Sequence, residues 1–228
     1  MKRTCYAAVL GGCSEKLSRE HYISKSILPD HVAIKGLPWC KEQPRKVGRN
    51  SLTAQILCTT HNNQLSSLDG YAKHFKDILF ERIHVRPSRR RNSFSVEQLE
   101  IDGMALERWC LKFALGLTHT QQDTGPISPD LVKICFGKNH FKEPAGLYLA
   151  SSVGDDVRKF DVLHAEALLH PHASDIIAWK LGLWGWQTVL WLDPCFRPNI
   201  HDHTLLYRPE TIRVREERRT RQRVTFLW

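Results

Sequence analysis

The chain has 228 residues, of which 42% are hydrophobic, with seven Trp and nine Phe; this is enough apolar material for one or two folded domains and excludes a globally disordered chain. Lys and Arg number 33 against 24 Asp and Glu, and the net charge of +9 points to an acidic partner, with nucleic acid the default. No apolar run approaches the ~20 residues of a membrane span, so no membrane partner is expected.

The first sixteen residues mimic a signal peptide. Their apolar stretch, Tyr6 to Leu10, is shorter than the ~7–15 residues such a segment needs, and no export pattern follows. The chain is therefore expected to be cytoplasmic. In a reducing compartment the seven cysteines, at 5, 13, 40, 58, 110, 135 and 195, read as metal ligands and buried thiols rather than as disulfides.

Residues 1–70 are rich in Cys, His, Ser and Asn, with short apolar runs. Cys58-x-x-His61 has the spacing of a metal knuckle, in which a tight turn aims both donors at one ion. Cys5 and Cys13 are the upstream candidates for a second pair, giving a Cys3His site suited to structural zinc. Cys40 is the substitute, and the alternative is that Cys5 and Cys13 are ordinary buried thiols. Glu20-His21 sets a carboxylate beside an imidazole, a pairing suited to a general base next to a divalent cation. Asn62, directly after the knuckle, offers an amide oxygen that suits Mg²⁺. A helix is expected from about Asn62, and Asn62 or Asn63 can equally cap its first turn. Tyr71, Phe75, Ile78, Leu79 and Ile83 continue at helical spacing.

A basic break follows, with Arg86, Arg89, Arg90 and Arg91 reading either as a phosphate clamp or as a solvated linker. A second helix is predicted from Gly103 to Leu117. Residues 121–228 are strand-rich: 146–151, 161–169, 176–181, 186–192 and 224–228 are short β-leaning runs between turn signals. Trp179, Trp184, Trp186 and Trp191 read as sheet core rather than as base-stacking platforms. His170-x-His172 and His201-x-His203 are weak metal signals, and Cys110, Cys135 and Cys195 read as buried thiols. The arginines between Arg213 and Arg223 suggest a charged hairpin, with a second nucleic-acid contact as the alternative.

The order Glu20-His21-x-Ile23, a gap, then Leu57-Cys58-x-x-His61-Asn62 resembles the HNH endonuclease family. The resemblance covers about 65 residues. It implies a ββα-metal, treble-clef-like module carrying a structural zinc and a catalytic Mg²⁺ or Mn²⁺. It further implies His21 as the general base that activates water, Glu20 and Asn62 as ligands of the catalytic cation, and Asn50 as the middle Asn that orients the base or shapes the loop. Asn63 is an alternative ligand, and Asp69 is either a further metal-site carboxylate or a surface cap. Departures from the pattern are Ser24 in place of a Pro after the base, the wide Cys5–Cys13 spacing, His61 in place of the second zinc Cys, Glu20 in place of the more frequent Asp, and the eight-residue step from Asn50 to Cys58.

The expected fold class is α+β: a zinc-stabilised nuclease module at 1–75, a helical connector at 76–120 and a β-rich domain at 121–228. The expected function is metal-dependent hydrolysis of nucleic-acid phosphodiesters, DNA rather than RNA, in a bacterial phage-defence setting by resemblance. The alternative is a catalytically inactive, zinc-stabilised nucleic-acid-binding or adaptor protein. The β-rich domain is left open to a protein or ligand partner, and the oligomeric state is unassigned.

Overall fold

The first strand and the first long helix meet at the knuckle. Strand β1 (Leu17–His21), β2 (His31–Lys35), β3 (Arg45–Gly48) and β4 (Thr53–Cys58) lead into helix α1 (Thr59–His84). Strand β5 (Glu97–Asp102) then runs directly into α2 (Gly103–Thr120), followed by a short α3 (Pro129–Cys135). The chain continues through β6 (Gly146–Ala150), β7 (Val162–Leu169), β8 (Ile176–Leu183), β9 (Trp186–Trp191), β10 (Leu205–Tyr207), β11 (Thr211–Glu216) and β12 (Arg219–Leu227). This computed structural model describes residues 4–84, 97–120, 127–150, 162–170, 172, 175–183, 186–195, 205–216 and 219–228. The architecture is an α+β mixture, as the sequence pattern implied. Among the described residues no helix is long and apolar enough to cross a membrane.

Local sequence explains most boundaries. In α1 the buried stripe is Leu65, Leu68, Ala72, Phe75 and Ile78, at spacings of three and four. Tyr71 falls off that stripe and is 44% exposed, so it does not belong to the apolar face on which the sequence pattern had put it. The helix begins at Thr59, three residues before the start read from the sequence, because the Cys58–His61 turn is its own first turn. Helix α2 starts where the Asp102 carboxylate accepts the Ala105 N–H at 2.8 Å, a side-chain cap. Helix α3, absent from the sequence expectation, is capped by Ser128, whose hydroxyl accepts from the Asp130 N–H, with Pro129 at its first position.

Three sheets result. Strands β1 and β4 form an antiparallel pair, and β11, β12 and β5 form a three-stranded sheet. A seven-stranded sheet has the order β10-β6-β9-β8-β7-β2-β3. In it β2 lies parallel to β7, with Ala33 opposite Val162 and Lys35 opposite His164. Strand β5 lies parallel to β12, with Leu99 opposite Val224. Both pairings join segments far apart in the chain, so strands of the first 75 residues share a sheet with strands of the last 110.

Helix α2 runs through the middle. Residues 105–107, 109–117 and Gly103 are all buried, leaving no solvent face along most of its length. Such a helix is a core element. A Cβ at Gly116 would sit 2.7 Å from Tyr22 Cβ, so this glycine lets α2 approach the chain just after β1. The helix nevertheless buries two charged residues, Glu107 and Lys112. Glu107 accepts from the Leu147 N–H at 2.8 Å and receives a two-pronged contact from Arg208, Nε at 3.0 Å and Nη2 at 2.8 Å. It thereby ties α2 to β6 and to the end of β10. Trp179 and Trp191 are core residues of the large sheet, as expected.

Removing Arg208 leaves a 1%-exposed carboxylate with one backbone donor. Arg208→Met is therefore expected to destabilise the fold by about 3–5 kcal/mol, read as a lower denaturant midpoint at unchanged slope.

Candidate metal centre and the His21 site

Cys58 ends β4, and His61 lies in the first turn of α1. Cys5 and Cys13 reach them from the preceding loop. A 3-10 turn, Ala8–Leu10, folds the chain back, and Gly11 and Gly12 follow at φ +73° and +67°, a region that favours glycine. Backbone bonds pin this loop at both ends: the Tyr6 N–H donates to Ile56 O and the Thr59 N–H to Lys16 O, each at 3.0 Å. The wide Cys5–Cys13 spacing is thus closed by a doubled-back turn.

The three sulfurs lie 3.4 Å (Cys5), 3.6 Å (Cys13) and 3.2 Å (Cys58) from His61 Nδ1. All four donor atoms fall within 4.8 Å of one another. In a tetrahedral zinc site, Zn–S of ~2.3 Å and Zn–N of ~2.0 Å place S and N roughly 3.5 Å apart. The four residues could therefore hold a metal such as zinc. Burial opposes the Cys58 thiolate, but donation from the backbone N–H of His61 and from Ser14 draws the thiol down to about 6. The His61 ring is held edge-on to Phe136 of the α3 end, 5.4 Å between centroids. Cys40 is not a fourth ligand; it closes a turn after β2, its carbonyl accepting from the Gly36 N–H. This cluster is the one group of potential metal ligands among the described residues.

The second constellation sits at the other end of β1, where Glu20 and His21 stand opposite Ala54 and Thr53. In β1, successive side chains alternate faces. Glu20 is buried, while Arg19 and His21 flank it on the more open side. A register shift between Ser18 and Glu20, against β4, sets this end of the strand, with His21 opposite Thr53. His21 Nε2 is buried and has no hydrogen-bond partner among the described residues. Burial, together with the nearby charges of Lys25, Arg19 and Arg49, holds the imidazole below its ordinary value, with Asp69 acting in the opposite direction. Arg19 Nε donates to Thr53 Oγ1 at 2.9 Å, and Arg49 pairs with the exposed Asp30 at 3.0 Å.

On the buried side, Glu20 and Asp69 converge on Lys112. The Lys112 Nζ is 2.8 Å from Glu20 Oε1, 2.9 Å from Asp69 Oδ1 and 3.0 Å from Asp69 Oδ2. Its side chain is 4% exposed. Burial alone would lower the lysine, but the two carboxylates outweigh it and raise it, so the ammonium stays charged. Asn62 hydrogen-bonds Glu20. Ser24 donates to Asp69 Oδ1 and accepts from Trp109 Nε1 at 2.7 Å.

The residues named from the sequence thus separate into groups. Cys5, Cys13, Cys58 and His61 meet in one cluster, and Glu20, Asn62 and Asp69 meet in another beside His21. Asn50 is exposed on a 3-10 turn, Arg49–Ser51, with its carbonyl accepting from Thr53 Oγ1. Asn63 is exposed on α1, with its carbonyl accepting from Ser66 Oγ at 2.8 Å. Arg86, Arg89, Arg90 and Arg91 lie outside the described residues, as do Trp184, His201 and His203. Arg213 and Arg223 stand opposite each other in the β11–β12 hairpin.

Lys112, Trp109 and Ser24 were not singled out as site residues. The signal was a single lysine set among apolar residues, between Leu111 and Phe113. A divalent cation does not fit the Glu20–Asp69 donors as they stand, because the ammonium already lies within hydrogen-bond distance of three of their four oxygens. No family model, no curated protein and no solved structure matches this chain.

Metal analysis of purified protein is expected to find one tightly bound zinc per chain, lost in Cys58→Ser. Stripping it with a chelator should lower the thermal midpoint, since binding energy at such a site is folding energy.

Proposed function

We propose that the chain is a zinc-stabilised nucleic-acid endonuclease of the ββα-metal kind that its sequence resembles, with DNA as the first substrate to test. The observation that carries this reading is His21. It ends β1 with an Nε2 that has no partner among the described residues, and three cations, Arg19, Lys25 and Arg49, act on it. The strand–strand–helix order of β1, β4 and α1, with the Cys/His cluster at the strand–helix junction, supports the same reading.

In this reading the cluster holds a structural zinc that fixes the β4–α1 corner against the N-terminal loop. The neutral imidazole takes a proton from a water that must enter to reach the buried Nε2, and the hydroxide oxygen attacks phosphorus. The bond to the leaving oxygen breaks, and that oxygen is protonated from solvent. Arg19, Lys25 and Arg49 offset the negative charge that grows on the phosphoryl oxygens. No step runs through a divalent cation. The positive surround also favours the phosphate backbone before any chemistry, and such binding weakens steeply with salt.

A second reading, a zinc-stabilised nucleic-acid-binding protein that does not cut, is favoured by one specific observation: the carboxylates that would hold a catalytic cation are bound to Lys112.

Supercoiled-plasmid nicking separates the two. Wild type is expected to nick, and His21→Ala to lose ~10²–10⁴-fold in rate while retaining salt-dependent DNA binding. Nicking undiminished in the variant removes His21 as the base, and binding without nicking by wild type establishes the second reading. Because the imidazole is held below its ordinary value, its neutral, proton-accepting form persists on acidification. The acid limb of the nicking rate should therefore fall below pH ~6.5.

A further inference from the structure

We propose that the Lys112 ammonium fills the position between Glu20 and Asp69 that a divalent cation would otherwise take, so that the protein binds no such cation beside His21. The inference deepens the proposed function, and rests on it for the identity of the position: Glu20 and Asn62 are the residues at which the resemblance puts a catalytic metal.

The geometry supports substitution rather than an incidental ion pair. An ammonium has three N–H donors, and here three carboxylate oxygens from two elements lie 2.8–3.0 Å from Nζ: Glu20 Oε1 on β1, and Asp69 Oδ1 and Oδ2 on α1. Oxygens gathered at ~2.0–2.1 Å would mark a Mg²⁺ site; these stand at nitrogen-to-oxygen distance. The Asn62 amide N–H acts on the same Glu20, lowering its carboxyl against the burial that raises it.

The lysine is also delivered by a dedicated face of α2. Trp109, Lys112 and Gly116 follow at three- and four-residue spacing, so they lie along one stripe. Trp109 donates to Ser24, which donates to Asp69 and holds that carboxylate. Gly116 admits the helix to contact with Tyr22, the residue after His21. With its side chain 4% exposed, Lys112 does not reach substrate; it is a positioning residue that acts through Glu20 and Asp69. The position is therefore a cation site in charge and shape, filled from within the chain. Deleting the side chain back to Cβ should vacate it and leave two carboxylates and an amide that a divalent oxygen-seeking cation can use.

The test is Mn²⁺ binding to full-length, zinc-loaded protein, followed by the electron paramagnetic resonance of free and bound Mn²⁺. Wild type is expected to bind no Mn²⁺ that Glu20→Gln removes, and Lys112→Ala to bind one Mn²⁺ per chain, lost in Lys112→Ala/Glu20→Gln. Wild-type nicking in metal-depleted buffer should stay within twofold of that with added Mg²⁺. One Mn²⁺ bound to wild type and lost in Glu20→Gln overturns the proposal. So does a folded Lys112→Ala that binds none. Should Lys112→Ala not fold, the wild-type titration decides alone. Mn²⁺ binding is independent of activity, so a wild type that never nicks refutes the nuclease reading while leaving this result to stand or fall separately.

Discussion

A buried ammonium has to be paired, and most of the site region is arranged around that requirement. Lys112 sits on a helix with no solvent face, where an unpaired charge would cost several kcal/mol after relaxation. Its partners come from two other elements, Glu20 from β1 and Asp69 from α1, so neutralising one lysine brings three elements to one point. Ser24 and Trp109 complete the network from the turn after β1 and from α2 itself. His21 is carried to its position by the same strand that commits Glu20 inward, because neighbouring strand residues point to opposite faces. The buried charge and the candidate base are thus two consequences of one strand register.

The Cys/His cluster does a comparable job at the other end of β1. Leu17 stands opposite Cys58, so the strand pair that places His21 at one end places the cluster at the other. The N-terminal loop buries Tyr6 and Ala7 in the core and is further held by two backbone bonds to β4 and α1 and by the Cys/His cluster. The remaining stabilisation is conventional. A continuous core runs from Cys5 to Phe226, with Trp109 and Trp179 among its largest fully buried side chains. Glu107 and Arg208 repeat the Lys112 solution on the far side of α2, with the charge signs exchanged.

Local features of the chain were readable to within a few residues. The apolar runs at 146–151, 161–169 and 176–181 correspond to β6, β7 and β8, and the Gly103 helix starts at Gly103. Short spacings were equally clear: Cys58-x-x-His61 carries its own geometry, because a helical first turn dictates where both donors point. Strands β2, β3, β5 and β10 and helix α3 went unread. Segments such as Arg45–Gly48 have no hydrophobic period of their own, and become strands because a partner elsewhere supplies the ladder. Cys5 with Cys13 was legible as a possibility only, since the turn that unites them depends on two left-handed glycines and on backbone bonds to β4.

By itself the amino-acid sequence determined the class of the fold, the positions of most helices and strands, the knuckle, and the adjacency of Glu20 and His21. All of these are encoded within about a dozen residues of one another. Only the tertiary structure decided what the acidic residues do. Whether Glu20 and Asp69 face an ion, water or a lysine depends on α2, which supplies Lys112 more than 40 residues after Asp69 and more than 90 after Glu20. A charge on a helix carries no mark of its distant partner. The low dielectric of the interior makes the pairing obligatory once the helix is buried, and burial is a property of the assembled fold.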